Sequence, residues 1–399
     1  MSLPLEGLRI LAIEQYGAGP FGSQHLADLG AEVIKIENPH DGGDVGRFVG
    51  PHFFGDKSEN NSQFYQAFNR NKKSICLDLK SPDGQKTLRQ LTVGVDAVYN
   101  NLRGDLPAKL GLTYDDLKDV KQEIVCVHLS AYGREGPRAA WPGYDYLMQA
   151  EAGYLTLTGE PDGPPSRFGL SIIDLMTGTT AALGLVSAVL GAKNTGQGRD
   201  VDVSLYDVAM HNLAYVATWY LNGGHQTVRL PKSAHPSLVP SQLYKTEDGW
   251  IFIMCNKEKF WQTMVRAMGR DDLVDHPDFC SFAARLANKP KVDEVLESIF
   301  TQQPTSHWMS KFEGKVPAAP VFDVAQALDN PFFRQRDGVV AAKTDRDEAY
   351  LGVASPIRCP GESLPENAAP ALGANTLEIL KRAGLSDEQI DFLRANKVV

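Results

Sequence analysis

Within its first 130 residues the chain alternates short apolar runs with stretches of helical spacing, and this alternation narrows the fold more than any other feature. Leu8–Ile13 is an apolar run suited to a buried strand, Gly22–Leu29 has helical spacing, and Ala31–Glu37 reads as a second strand. Gly30 stands between them, where a helix C-terminal glycine belongs. Ser74–Leu79, Val95–Tyr99 and Ile124–Leu129 read as further strands, and Ser81-Pro82-Asp83-Gly84 caps the helix after the first of these. Strands alternating with helices predict a parallel, doubly wound α/β sheet over roughly the first 150 residues.

From Tyr144 to Met210 the spacing turns helical, broken by the Gly- and Pro-rich run 159–165. A stretch rich in Gly, His, Pro and Ser around 221–240 reads as a linker. Beyond it, Trp250–Met254 reads as a strand, and Lys259–Met268 and Lys291–Phe300 as helices, which predicts a smaller α+β domain. An amphipathic helix beginning near Ala374 closes the chain.

Composition excludes several classes of function. At 399 residues, 43% apolar and 22% charged, the chain can build a large core without disulfide or metal staples. With 40 basic against 49 acidic residues the net charge is −9, which repels nucleic acids and anionic lipid surfaces. Neither is an expected partner, and an anionic small ligand would need basic residues gathered locally. The five cysteines are odd in number and widely spaced, so neither a disulfide framework nor a metal site is expected. The N-terminus lacks signal-peptide features, and the apolar stretch Leu175–Leu190 falls short of the roughly 20 residues that cross a bilayer. A soluble cytoplasmic protein is expected.

Two segments carry candidate chemistry. Gly17-Ala18-Gly19-Pro20-Phe21-Gly22 matches G-x-G-x-x-G after a strand, and Glu37 ends the next strand, as in a dinucleotide fingerprint. Pro20 removes an amide donor from that loop, and Glu14, Gln15 and Tyr16 separate the strand from the first glycine. A turn that only lets a helix and a strand pack closely fits the same residues. The second segment is Gly169-Leu170-Ser171-Ile172-Ile173-Asp174-Leu175-Met176-Thr177-Gly178, ahead of the apolar helix Thr179–Leu190. Asp174 in the first turn of a buried helix is expected to be held ionised by the helix dipole. Ser171 and Asp174 could form a capping box, or Asp174 could be a carboxylate nucleophile.

Segments in order along nearly the whole chain resemble the family III CoA-transferases, the group of formyl-CoA, carnitine and dicarboxylate CoA-transferases. They are Leu8–Pro39, Asn69–Leu79, Ser130-Ala131-Tyr132-Gly133, Gly143-Tyr144-Asp145, Gly159–Gly178, Gly196-Gln197-Gly198-Arg199, Asp248-Gly249-Trp250 and Pro331-Phe332-Phe333-Arg334-Gln335-Arg336. The resemblance implies that Asp174 is the nucleophile, passing through an aspartyl anhydride and an aspartyl–CoA thioester. It also implies CoA and acyl-CoA as substrates, with no tightly bound cofactor. The expected form is a large Rossmann-like domain over 1–220, completed by 331–399, and a small α+β domain over 225–325, in an interlocked homodimer.

CoA brings several phosphate charges to an acidic protein, and Arg70, Lys72 and Lys73 before one strand, with Arg103 and Lys109 after another, could meet them. By the resemblance, the segments of Lys72, Asn101 and Lys109 line the CoA cleft, and Tyr132 lies near the pantetheine and acyl end. Asn38 stands where formyl-CoA enzymes carry an arginine beside the adenine. Gly17 replaces their active-site glutamine, and the segment of His235 replaces their closing glycine loop, which disfavours an oxalate/formate pair. The related α-methylacyl-CoA racemases, the alternative reading, carry a proton-exchanging histidine where this chain has Tyr144, a weak base at neutral pH. Pro142-Gly143-Tyr144-Asp145-Tyr146 with Thr158-Gly159 resembles the succinyl-CoA-dependent dicarboxylate branch. The expected donor is succinyl-CoA and the expected acceptor a short dicarboxylate or succinate-like acid, read by a cation among Arg47, Arg167 and His52.

Overall fold

The structure, a computed structural model, describes residues 3–55 and 61–399. Six strands, β1 (Arg9–Ile13), β2 (Glu32–Glu37), β3 (Lys73–Cys76), β4 (Ala97–Asn100), β5 (Val125–Ser130) and β6 (Arg199–Ser204), form one sheet in the order β3-β2-β1-β4-β5-β6. Every neighbouring pair runs parallel. The order reverses between β1 and β4, and a crevice opens beyond the carboxyl ends of the strands at such a point. β4 and β5 are buried along their whole length, their polar Asn100, His128 and Ser130 included, as central strands of a parallel sheet are.

The helices between and after these strands are α1 (Ala18–Asp28), α2 (Gln63–Asn69), α3 (Pro82–Thr92), the single turns α4 (Leu106–Lys109) and α5 (Tyr114–Leu117), α6 (Asp145–Glu151), α7 (Ile172–Thr195), α8 (Leu205–Asn212) and α9 (Ala214–Gly223). Ser81 caps α3 as expected, its hydroxyl accepting the Gly84 N–H at 2.9 Å. Gly30 adopts φ +99° just past the C-cap of α1, the left-handed stop its position implied.

The chain divides into two compact units. The first comprises Met1–Gly153, Phe168–Asn222 and Asp337–Val399; the second comprises Tyr154–Arg167 and Gly223–Arg336. These differ from the expected boundaries chiefly in Tyr154–Arg167, which goes with the second unit. In the first unit the tail is integral to the core. Ile379, Leu380, Ile390 and Leu393 are buried in one cluster with Leu11, Ile34, Ile75 and Leu88 of the sheet and α3. The second unit has an antiparallel sheet in the order β7-β8-β9 (Ser241–Lys245, Trp250–Met254, Ala318–Pro320) and its own core around Trp261, Met264, Phe300, Trp308 and Phe312.

Four local expectations need correction. The sheet extends past residue 150, because β6 lies inside a region whose spacing read as helical; its residues are mostly half-exposed at the sheet edge, so no apolar run announces it. α1 begins at Ala18, four residues before Gly22, since Gly19 and Pro20 fall in a first turn that tolerates them. The tail forms two helices, Thr376–Arg382 and Asp387–Ala395, separated at Gly384 with φ +88°. Finally, α7 has 24 residues and is long and apolar enough to cross a membrane, yet half of its most apolar window is buried within the structure.

Candidate active site

Two helix N-termini meet at Asp174. On one side α7 begins at Ile172, and its first turn is capped from another element: Asp145 Oδ2, at the start of α6, accepts the N–H groups of Ile173 (2.6 Å) and Asp174 (3.0 Å). Gln149 Nε2 donates to the other Asp145 oxygen at 2.6 Å. The expected Ser171 capping box is not formed; Ser171 is the N-cap residue but its side chain makes no capping bond. Asp145 therefore satisfies the helix end, which leaves the Asp174 carboxylate free of that duty.

Asp174 as a whole is 8% exposed. Burial first, then the neighbouring Asp145 charge, push its pKa up to about 7. This corrects the expectation of a strongly ionised group: desolvation outweighs the helix dipole, and the dipole is already met by Asp145.

On the other side lies the turn from β1 into α1. A Cβ placed on Gly17 would lie 2.9 Å from Asp174 Oδ2, and one on Gly19 would lie 2.7 Å from Asn101 Cγ. Gly22 and Gly178 face each other where α1 crosses α7, so close that a Cβ on either would collide with the backbone of the other helix. The glycine motif is thus explained by helix crossing and by the approach to Asp174, the packing alternative left open by its sequence. Tyr16, just before Gly17, holds φ +69°. Its hydroxyl pKa is raised by burial and then by the Asp174 charge, so it stays a proton donor at neutral pH.

A cavity of about 510 Å³ opens here, lined by Tyr16, Gly17, Asn101, Arg103, Trp141, Tyr144 and Asp174 among others. A second, of about 180 Å³, lies over the carboxyl ends of β1, β2 and β3, with Glu14, Asn38, Asp41, Asp78 and Lys80 in its wall. Gln15 and Leu102 line both.

The structure therefore brings Gly17, Asn101, Arg103 and Tyr144 to Asp174, and puts Asn38 in the adjoining cavity with its amide on Asp41 (2.7 Å). Arg103 pairs with Asp105 at 2.5 and 3.0 Å, and Lys109 reaches the same carboxylate at 2.6 Å; both cations are solvent-accessible. Tyr132 donates to Glu151 at 2.9 Å and lines neither cavity. Arg167 and His235 belong to the second unit, where His235 Nδ1 accepts the N–H groups of Ser237 and Leu238, each at 3.1 Å. His52 is exposed in the segment before α2.

Three cations proposed from sequence as anion receptors are instead committed inside the protein. Arg47 binds Glu37 with two nitrogens (2.9 and 2.7 Å) and lies over the Tyr65 ring. Arg70 binds both oxygens of Asp28 at 2.9 and 2.5 Å. Lys72 donates to Glu14 (2.7 Å), Pro20 O (2.9 Å) and Asn69 (3.0 Å), and burial pushes its pKa down to about 8. Spacing alone could not tell a cation meant for a ligand from one recruited by a buried carboxylate. Sequence reasoning also did not single out Asp145, Tyr16 and Trp141; for Asp145 the signal was its place at the start of a helix directly after Gly143-Tyr144.

The chain is similar to known proteins over nearly its whole length. Residues 5–376 match the description CoA-transferase family III. The succinate–glutarate CoA-transferase of Agrobacterium fabrum is 31% identical over 94% of this chain and 95% of its own length. The human succinyl-CoA:glutarate CoA-transferase is 32% identical over 97% and 87%, respectively. The crystal structure of a CAIB/BAIF family protein from Brucella suis superposes with a TM-score of 0.83 at 30% identity, covering 96% of this chain and all of that one.

Proposed function

The chain belongs to CoA-transferase family III, and on that premise we propose that it moves CoA from succinyl-CoA to a short dicarboxylate or succinate-like acid, with Asp174 as the covalent nucleophile. The observation that carries this reading is a carboxylate buried at a helix N-terminus beside a cavity of about 510 Å³, its pKa pushed up to about 7. A more basic carboxylate is a stronger nucleophile, and at neutral pH a large share of Asp174 is still ionised.

In the proposed sequence an Asp174 oxygen attacks the thioester carbonyl, the C–S bond breaks, and an aspartyl–succinyl anhydride and CoA thiolate result. The thiolate attacks the aspartyl carbonyl, releasing succinate and leaving an Asp174–CoA thioester. The acceptor carboxylate displaces the thiolate to give a second anhydride, and the thiolate attacks its acceptor carbonyl. Acyl-CoA leaves and the Asp174 carboxylate is regenerated with no net proton change. Each tetrahedral oxyanion needs N–H donors, and the first turn of α1, which starts beside Asp174, has donors without intrahelical acceptors. Enclosure of the group limits hydrolysis of the anhydride.

The names of the Agrobacterium and human relatives support the succinyl and dicarboxylate assignment. In this proposal CoA lies along the two adjoining cavities, with Asn38 in the wall of the smaller, and its thioester end enters the larger, which Arg103 and Asp174 line. The racemase alternative is disfavoured, because Tyr144 stands where that chemistry requires a base of near-neutral pKa. A homodimer is part of the proposal. α9 buries none of its residues and exposes Tyr215, Tyr220 and Leu221, while α7 exposes Leu183 and Leu190, an apolar surface that calls for a second copy. The test is incubation with succinyl-CoA and hydroxylamine, followed by peptide mass analysis. A hydroxamate on Asp174 is expected; transfer to glutarate with Asp174 unmodified would overturn the proposal.

A further inference from the structure

The turn that carries Gly17 to Asp174 is gripped on both sides of Gly17, at the peptides that follow Glu14, Gln15, Gly19 and Pro20. Lys35 Nζ donates to Glu14 O at 3.0 Å. Asn101 Nδ2 donates to Gln15 O at 2.7 Å, and its Oδ1 accepts the Gln15 N–H at 2.9 Å. Asp44 Oδ1 accepts the Tyr16 N–H at 2.9 Å. The Tyr99 hydroxyl donates to Gly19 O at 3.2 Å, and Lys72 Nζ to Pro20 O at 2.9 Å.

The charged members of this set form one cluster. Lys72 Nζ lies 2.7 Å from Glu14 Oε1, and Lys35 Nζ lies 2.7 Å from Asp44 Oδ2 and 3.7 Å from Glu14 Oε1, every side chain being 0% exposed. Buried ion clusters are a weak source of stability, since apolar side chains of similar volume often do as well. This one is wired to backbone atoms, and through Asp44 it holds the N–H of Tyr16, whose left-handed conformation persists only where its neighbours over-determine it. All three donors of Lys72 are spent, on Glu14, Pro20 O and Asn69, so none is left for a CoA phosphate.

We infer that Glu14, Lys35, Asp44 and Lys72 are a positioning cluster that sets the Gly17 backbone against the Asp174 carboxylate, and that Lys72 governs the rate of transfer rather than the binding of CoA. The inference rests on Asp174 being the nucleophile. A misplacement of about 1 Å at a reacting group can lower a rate by about 100-fold.

The experiment measures two quantities: the rate at which succinyl-CoA and hydroxylamine label Asp174, and the Kd for CoA by calorimetry. In Lys72→Met, labelling should slow about 100-fold while Kd stays within about threefold of wild type. Tyr99→Phe loses only the hydroxyl bond to Gly19 O; it should slow labelling several-fold with Kd unchanged, and it carries the test if Lys72→Met does not fold. Labelling at the wild-type rate, or a tenfold or greater loss of CoA affinity with the rate retained, would overturn the inference. A wild-type enzyme that turns over without labelling Asp174 overturns the nucleophile reading instead.

Discussion

Replacing Asp174 with asparagine should abolish transfer and, above neutral pH, make the protein more stable. The carboxyl titrates at 3.8 in an open chain and at about 7 in the fold, so the folded state holds its proton more tightly than the unfolded state. Stability is therefore lost as pH rises above 3.8, and the loss is complete above 7. At about 1.4 kcal/mol per tenfold in acidity, the ionised group disfavours folding by about 4 kcal/mol at pH 8 and by about 1.6 kcal/mol at pH 5. The asparagine amide cannot ionise, so the gain from Asp174→Asn should grow by about 2.5 kcal/mol between those two pH values. Urea unfolding followed by tryptophan fluorescence at pH 5 and 8, wild type beside variant, reads this difference directly. Parallel stability curves for the two proteins would refute the claim that burial raises the Asp174 pKa, and with it the account of its nucleophilicity.

Asp145→Asn keeps an acceptor for the Ile173 and Asp174 N–H groups but removes the neighbouring charge, so the acid limb of kcat against pH should move to lower pH. The shift should be partial, because burial is the larger cause. Gly17→Ala places a methyl carbon about 2.9 Å from Asp174 Oδ2; kcat should fall by about 10- to 100-fold with little change in thermal midpoint, measured by stopped assay and calorimetry. Gly178→Ala drives a methyl into Ala18 O at the α1–α7 crossing and should destabilise the protein by about 1–3 kcal/mol in urea titration. Arg47→Met strands Glu37 and should cost about 3 kcal/mol or more, while KM for succinyl-CoA in the surviving folded protein stays unchanged.

The parallel sheet was legible because β1, β2, β4 and β5 are buried strands whose apolar runs have no helical period. β6 was not, since Arg-Asp-Val-Asp-Val-Ser at a sheet edge has no apolar run, and the partners of its Asp200, His128 on β5 (2.9 Å) and the Tyr114 N–H (2.8 Å), are distant in sequence. Asp174 was legible as a candidate by its place ahead of an apolar helix, but its charge state was not. That depends first on its burial and then on Asp145, 29 residues earlier in sequence, which takes over the cap. The same limit applies to the cations: Arg47 looks like a receptor for an acyl carboxylate, and Arg70 and Lys72 like part of a phosphate patch, until their buried partners Glu37, Asp28 and Glu14 are placed beside them. Glycine showed the opposite behaviour. Gly17, Gly19 and Gly22 drew attention as a nucleotide loop, and only the positions of Asp174, Asn101 and Gly178 reveal what each glycine makes room for.

The most direct test of the covalent account uses an acceptor acid labelled with ¹⁸O in its carboxylates. After turnover with succinyl-CoA, the enzyme is quenched, digested and weighed peptide by peptide. The anhydride sequence deposits one acceptor oxygen on the enzyme in each cycle, so the peptide containing Asp174 should gain ¹⁸O and no other peptide should. Turnover that leaves this peptide unlabelled, with ¹⁸O passing straight from acceptor to succinate, would contradict Asp174 as the nucleophile.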